Sequence, residues 1–218
     1  MVASLFVDAF RFIPDNAALL LDKAAGLAVL AFTALGIATV IALPLGLWLG
    51  HRHRGLFLAL GTSSIGRAMP SIALIGVFIV WLGVGFWNLT VVLVILAVPP
   101  ILANAYVAVE GVDGDVVEAA RGMGLTERQI LAKVELPLGL PLILAGIRIA
   151  AVFVISTATL AGIAGEPGTL GDIIVNPVTY GRDGVLAAAF VVAGIALLTA
   201  FLLGLVQHAA SRRMAPRA

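Results

Sequence analysis

Residues 118–137 read EAARGMGLTERQILAKVELP, the longest run of mixed charge in a chain whose residues are 61% hydrophobic. The local chemistry is that of two short helices around a glycine. Asp115 stands where an N-cap belongs, and Glu118, three residues on, holds the capping-box position, so that orphan amide donors are satisfied. Gly124 is expected to stop this helix, because glycine tolerates the left-handed C′ conformation. Thr126 then opens the second helix, with Gln129 completing a T-x-x-Q box. Pro137 is expected to end it, since proline lacks an amide donor and disfavours helix at Leu136. Each helix would be roughly 12 Å long, and such short helices are marginal alone in water. A bent, charged helix pair between two long apolar segments is therefore expected to be held against a partner.

Outward from this stretch the chain turns apolar. Only 11% of its 218 residues are charged, too little polar surface to cover a water-facing exterior. Several runs exceed the roughly 20 apolar residues that span a bilayer core. The expected fold is all-α, a polytopic membrane protein with five transmembrane helices at about 24–50, 56–80, 89–109, 138–164 and 185–207. Gly61-Thr62-Ser63-Ser64 and Gly66-Arg67 interrupt the second, and Met69-Pro70-Ser71 marks a break or kink. The third carries Pro99-Pro100.

In residues 1–23, Phe6, Phe10, Phe12 and Ile13 interleave with Asp8, Arg11, Asp15 and Asp22. That pattern suits an interfacial segment, and equally a frayed terminus. No basic residue precedes Arg11, so the start of a signal peptide is missing. One membrane domain is expected over 24–208, with the charged loop at 110–137 inside it and a tail at 209–218. Gly46-x-x-x-Gly50 is a small-xxx-small pair of the kind that supports helix packing. In a chain with 24 glycines, coincidence is the simpler account.

A net charge of +1 with no basic stripe gives no reason to expect nucleic acid. Cysteine is absent, which excludes disulfides and thiolate metal sites. Orientation follows from basic residues near the span ends. With the charged loop in the cytoplasm, the inner segments hold Arg52, Arg54, Arg121, Arg128, Lys133, Arg212, Arg213 and Arg217. The outer segments then hold only Arg11, Lys23 and Arg182. The N-terminus is expected outside and the C-terminus inside, with Trp81 and Trp87 near the outer interface and Trp48 near the inner.

Several chemistries are disfavoured. A P-loop needs Gly-Lys-Ser/Thr, and the only lysines, Lys23 and Lys133, follow Asp22 and Ala132. No Asp or Glu falls inside the five spans as bounded above, which lowers the expectation of an ion-coupled carrier. Arg67 and Arg148 lie within spans, where a charge costs about 2.5–3.5 kcal/mol on insertion-based scales. Each is read either as a polar contact in a translocation path or as an inter-helix anchor. His51-x-His53 has no acid or third histidine within ten residues, so a basic cytoplasmic flank is the better reading than a metal site. No intramembrane catalytic motif is found.

Glu118-Ala119-Ala120, three residues, Gly124, nine residues, then Val134-x-Leu136-Pro137 resembles the EAA loop of ABC-transporter permease subunits. Val134 stands where isoleucine is usual. Met69-Pro70-Ser71-Ile72-Ala73-Leu74, Gly111-Val112-Asp113, Ala145-Gly146-Ile147-Arg148 and Thr157-Ala158-Thr159-Leu160-Ala161 look like the osmoprotectant branch of those permeases. Gly168-Thr169-Leu170-Gly171-Asp172 is similar to that branch's glycine-rich loop, although Glu166-Pro167 replaces the more usual small residues.

The resemblance implies a non-catalytic subunit in a bacterial or archaeal cytoplasmic membrane. It implies a second permease chain, identical or homologous, a dimer of ATPase subunits and an extracytoplasmic substrate-binding protein. ATP and magnesium would be bound by the ATPase, with no cofactor in this chain. It assigns ATPase coupling to Val117, Glu118, Ala119, Ala120, Arg121, Gly124, Val134, Leu136 and Pro137. In that arrangement Ala119 and Ala120 would allow close approach, and Val116, Val117 and Met123 would offer an apolar face. Arg67, Pro70, Ser71, Arg148, Thr157 and Thr159 are the expected lining of the translocation path. The implied solutes are quaternary amines such as glycine betaine, choline, carnitine or proline betaine. The alternatives are another small solute such as an amino acid, or an ion-coupled secondary carrier.

Overall fold

The computed structural model describes residues 2–55, 61 and 69–214. Nine α-helices are labelled among them: α1 (Val2–Asp15), α2 (Ala17–His51), α3 (Ser71–Leu82), α4 (Phe86–Glu110), α5 (Gly114–Gly122), α6 (Glu127–Ile130), α7 (Leu136–Ala158), α8 (Leu170–Val175) and α9 (Pro177–Met214). A π-helical turn occupies Leu131–Glu135 and a 3₁₀ turn Thr159–Gly162. No strand occurs among the described residues.

Among the described residues, four helical stretches are long and apolar enough to cross a membrane: Ala17–His51, Phe86–Glu110, Glu127–Gly162 and Pro177–Arg212. The shorter apolar helix Ser71–Leu82 stands in place of the second expected span. At 12 residues it is about 18 Å long, less than a bilayer core of about 30 Å. Most of the first part of that span, 56–60 and 62–68, lies outside the described residues. The all-α class therefore holds, and among the described residues the five expected spans correspond to four full ones and one short helix.

The core lies along α4, which packs against α2 on one side and α7 on the other. Leu27 and Leu30 of α2, Leu89, Val92, Leu93 and Ile101 of α4, and Val154 of α7 are fully buried. Glycines bring the backbones together. A Cβ at Gly46 would sit 2.7 Å from the Ala105 Cβ and 2.8 Å from the Leu102 carbonyl oxygen, and one at Gly50 would sit 2.7 Å from the Tyr106 carbonyl oxygen. The Gly46-x-x-x-Gly50 pair is thus a helix contact and not a coincidence. Across α4, a Cβ at Gly139 would meet the Ala108 carbonyl oxygen at 2.7 Å. Small residues permit this close approach in an apolar medium, where van der Waals contact drives helix association.

α2 is 35 residues long, roughly 52 Å, so its ends project beyond a bilayer core. Asp22 and Lys23 belong to this helix and not to a preceding segment. α1 lies along α9, with Phe10 stacked on Phe190 at 5.4 Å between ring centroids and Phe6 at 6.1 Å. α9 is broken at Gly181, whose φ of 70° and ψ of 171° are non-helical. Beyond the break it exposes Leu197, Phe201, Leu202 and Leu205, an apolar face suited to lipid or to another chain.

Candidate functional site

The helix pair around Gly124 is present, with two changes at its ends. Its first helix opens two residues earlier than expected. The cap is Asp113, whose side chain accepts the Asp115 N–H at 2.9 Å. Asp115 becomes a first-turn acid, well placed against the helix dipole, and Glu118 lies too far along the helix for a capping box. The helix stops as expected. Gly124 has φ of +86°, the Leu125 N–H donates to the Ala120 carbonyl at 3.2 Å, and the Gly124 N–H donates to the Arg121 carbonyl at 3.0 Å. These two bonds are a Schellman motif. The Thr126 box is complete: its N–H donates to Gln129 Oε1 at 2.9 Å, and the Gln129 N–H donates to Thr126 Oγ1 at 3.4 Å.

Pro137 does not end the second helix. The chain passes into the π turn, where the Leu136 N–H donates to the Leu131 carbonyl five residues back. A π turn relieves the clash between a proline ring and the preceding turn, and Pro137 sits at the start of α7, where its missing donor costs little. Glu127–Gly162 is consequently one continuous helical body. The second helix of the charged loop is therefore continuous with α7.

The loop residues divide by face. Val116, Glu118, Ala119, Arg121 and Met123 are exposed, whereas Val117, Val134, Leu136 and Pro137 are half-buried. Ala120 and Ile130 are buried within the chain. Ala120 therefore packs inward and does not offer itself to a partner, contrary to the expectation for it. The surface left for one is the apolar trio Val116, Ala119 and Met123, flanked by Glu118 and Arg121.

A chain of polar contacts ties this loop to the end of α2. The Arg121 Nε and Nη2 donate to the two Glu127 carboxylate oxygens at 2.9 and 3.1 Å. This hydrogen bond, and the Glu127 charge behind it, hold the guanidinium above its ordinary pKa. Glu127 Oε2 also lies 3.4 Å from His51 Nε2, and His51 Nδ1 lies 2.7 Å from Glu135 Oε2. Glu135 is 2% exposed. The sequence reading missed both roles because the acid that meets His51 is 84 residues away. The one local signal was a glutamate placed just before an apolar run.

The opposite end of the bundle has its own polar cluster. Lys23 pairs with Asp172 at 2.7 Å and donates to the Pro167 carbonyl. Asp172 also accepts from Tyr180 Oη at 3.1 Å and from Asn176 Nδ2 at 2.8 Å. Burial pushes the Asp172 carboxyl up, but the hydrogen bonds from Lys23, Tyr180 and Asn176 and the Lys23 charge outweigh it and hold the group below its usual range.

The residues expected to line a path are not gathered in one place. Arg148 of α7 reaches α9, where its Nη1 would be 3.2 Å from a Cβ on Gly204. It shares an open groove of about 370 Å³ with Ile149, Val152, Phe153, Ser156 and Ala200. Thr157 is buried among the helices, and the Thr159 hydroxyl donates to the Ser156 carbonyl at 2.7 Å. Pro70 caps α3 in an extended conformation, with Ser71 opening the helix. Arg67 lies outside the described residues.

Bilayer-length helices with a capped, exposed helix pair between two of them define a multi-pass membrane protein. Residues 42–216 match the binding-protein-dependent transport system inner membrane component family, and the chain belongs to that family. Its members are permease subunits of ABC transporters and are generally non-catalytic. The chain is 39% identical over 185 residues to the carnitine transport permease protein OpuCB of Listeria monocytogenes, covering 84% of this chain and 82% of that one. It is 32% identical over 198 residues to the glycine betaine/carnitine/choline transport system permease protein OpuCB of Bacillus subtilis strain 168, covering 90% and 91%. Among solved structures it is similar to an inward-facing conformation of the MetNI methionine ABC transporter. That match has a TM-score of 0.76 at 23% identity and covers 90% of this chain and 98% of the other. It concerns the fold alone.

Proposed function

We propose that this chain is the permease subunit of an ATP-driven importer for small quaternary-amine osmoprotectants such as glycine betaine, choline, carnitine or proline betaine. The observation that carries the reading is the near full-length similarity to permeases named for carnitine, choline and glycine betaine transport. Val116, Ala119 and Met123 dock against a separate ATPase dimer, which binds ATP and magnesium. Arg121 and Glu118 meet charges at the rim of that contact. Closure of the ATPases moves α5, and the unbroken body from Glu127 carries the movement into α7 and its Arg148. A second permease chain faces this one across the path, and an extracytoplasmic binding protein delivers the solute. Transport is then alternating access, driven by a nucleotide with different affinity for the two states.

Reconstituted alone in liposomes, the chain is expected to move no quaternary amine. Uptake is expected only with the ATPase, the binding protein, any second permease chain and ATP together. Uptake by the isolated chain on a sodium or proton gradient would overturn the ABC reading. ATP-dependent uptake of an amino acid, with no response to quaternary amines, would remove only the substrate. The same system tests the orientation, since the chain lacks cysteine. A cysteine at Thr179 is expected to react with an impermeant maleimide from outside, and one at Met123 is expected to stay protected.

A further inference from the structure

His51 is the last residue of α2, and both of its ring nitrogens face carboxylates. Glu135 lies on the π turn at 2.7 Å from Nδ1, and Glu127 lies on α6 at 3.4 Å from Nε2. Nδ1 is hydrogen-bonded to Glu135, and Nε2 lies at ion-pair distance from Glu127. Glu127 in turn holds Arg121 of α5 through two hydrogen bonds. The ring thus links the first membrane helix to the π turn and α6 directly, and to α5 through Arg121. The arrangement is not a metal site: no group of three or more His, Asp or Glu side chains among the described residues is placed to hold an ion.

We infer that His51 is the positioning residue that clamps the EAA loop to the end of α2. The charged groups facing it are Glu135 from the π turn and Glu127 from α6, with Arg121 of α5 behind Glu127. Within α2's own exit, the neighbouring Arg52 lies over the Trp48 ring at 5.4 Å and points its charge there. α4, packed alongside, ends in an exposed Glu110 that makes no ion pair with His51.

This inference rests on the proposed coupling role of the loop, but its test does not need the ATPase. Spin labels on cysteines replacing the exposed Arg54 and Met123 report the loop's position relative to α2 in the full chain in nanodiscs. The wild-type distance distribution should be narrow, and His51→Lys, which keeps a donor toward Glu135, should leave it so. His51→Gln should broaden it, but it weakens the hold on the buried Glu135 carboxylate and risks misfolding. Glu127→Gln avoids that risk and should also broaden it, because Arg121 and His51 lose a charged partner. Distributions as narrow in folded His51→Gln and in Glu127→Gln as in the wild type would overturn the clamp. A loosened loop in His51→Gln with undiminished ATP-driven uptake would uphold the clamp and remove the coupling role.

Discussion

The two ends of α2 are both fastened to distant parts of the chain, but by different means. At one end, Lys23 is paired with Asp172, and the backbone of α2 at Gly26 lies directly against the Gly168 carbonyl. Just beyond, Gly162 and Gly171 bring the 3₁₀ turn and α8 so close that a Cβ on Gly162 would stand 2.6 Å from the Gly171 carbonyl oxygen. Backbone lies on backbone there, and nothing slides without breaking van der Waals contact. At the other end, His51 reaches Glu135 and Glu127 through side chains, and α5 beyond them is largely exposed. Glu135 is buried, but the Arg121–Glu127 pair is exposed, and its bonds exchange with solvent at little net cost. One end is joined by backbone contact at glycines and the other through side chains; on the proposed coupling role the first is an anchor and the second a lever.

The sharpest way to break this contrast is to add one carbon to the anchor. Gly171→Ala would drive a Cβ into the Thr159 carbonyl oxygen, and Gly26→Ala would do the same at Gly168. Neither obstacle is a flexible side chain, so the backbone must shift, at a cost of about 3 kcal/mol. A lowered thermal midpoint in detergent and reduced accumulation in membranes are the expected readouts. Wild-type stability would mean that the anchor is looser than its geometry.

Asp172→Asn probes the charge in the same anchor. Losing the Lys23 partner should destabilise by about 1–3 kcal/mol, as for other hydrogen bonds to charged groups. The sign of the pH effect follows from the depressed pKa of Asp172. Its contribution is fully present above the ordinary carboxylate value of about 3.9. It is lost as pH falls through the lower folded value. Acid unfolding of the variant should therefore lack this component, which a thermal-melt series against pH would show.

The smallest effect on stability is expected at the lever. A Cβ at Gly124 meets nothing within 4 Å, so Gly124→Val suffers only the left-handed backbone, roughly 1–2 kcal/mol. The chain should insert and accumulate normally, while ATP-driven uptake in the assembled transporter falls strongly. If uptake persists and the ATPase still associates, the glycine bend plays no part in coupling. Stability damage at Gly171 with little at Gly124, and the reverse ranking for loss of function per unit of damage, would bear the anchor and lever distinction out.

Much of the lever was written locally. Gly124 and the Thr126–Gln129 box depend on hydrogen bonds that close within a few residues, so residue type and spacing suffice to read them. The all-α membrane class was legible for a similar reason, because 11% charge cannot cover a water-facing surface whatever the topology. Local logic failed where a neighbour in space changes the outcome. Pro137 looked like a stop, yet the π turn before it absorbs the ring and the helix runs on. Gly46 and Gly50 looked like chance until Leu102, Ala105 and Tyr106 were brought against them. Glu135 and His51, 84 residues apart, and Lys23 and Asp172, 149 apart, acquire partners only once α4 has packed between α2 and α7. A buried charge is tolerated only beside its counterion, and which counterion that is was decided by the packing of the helices.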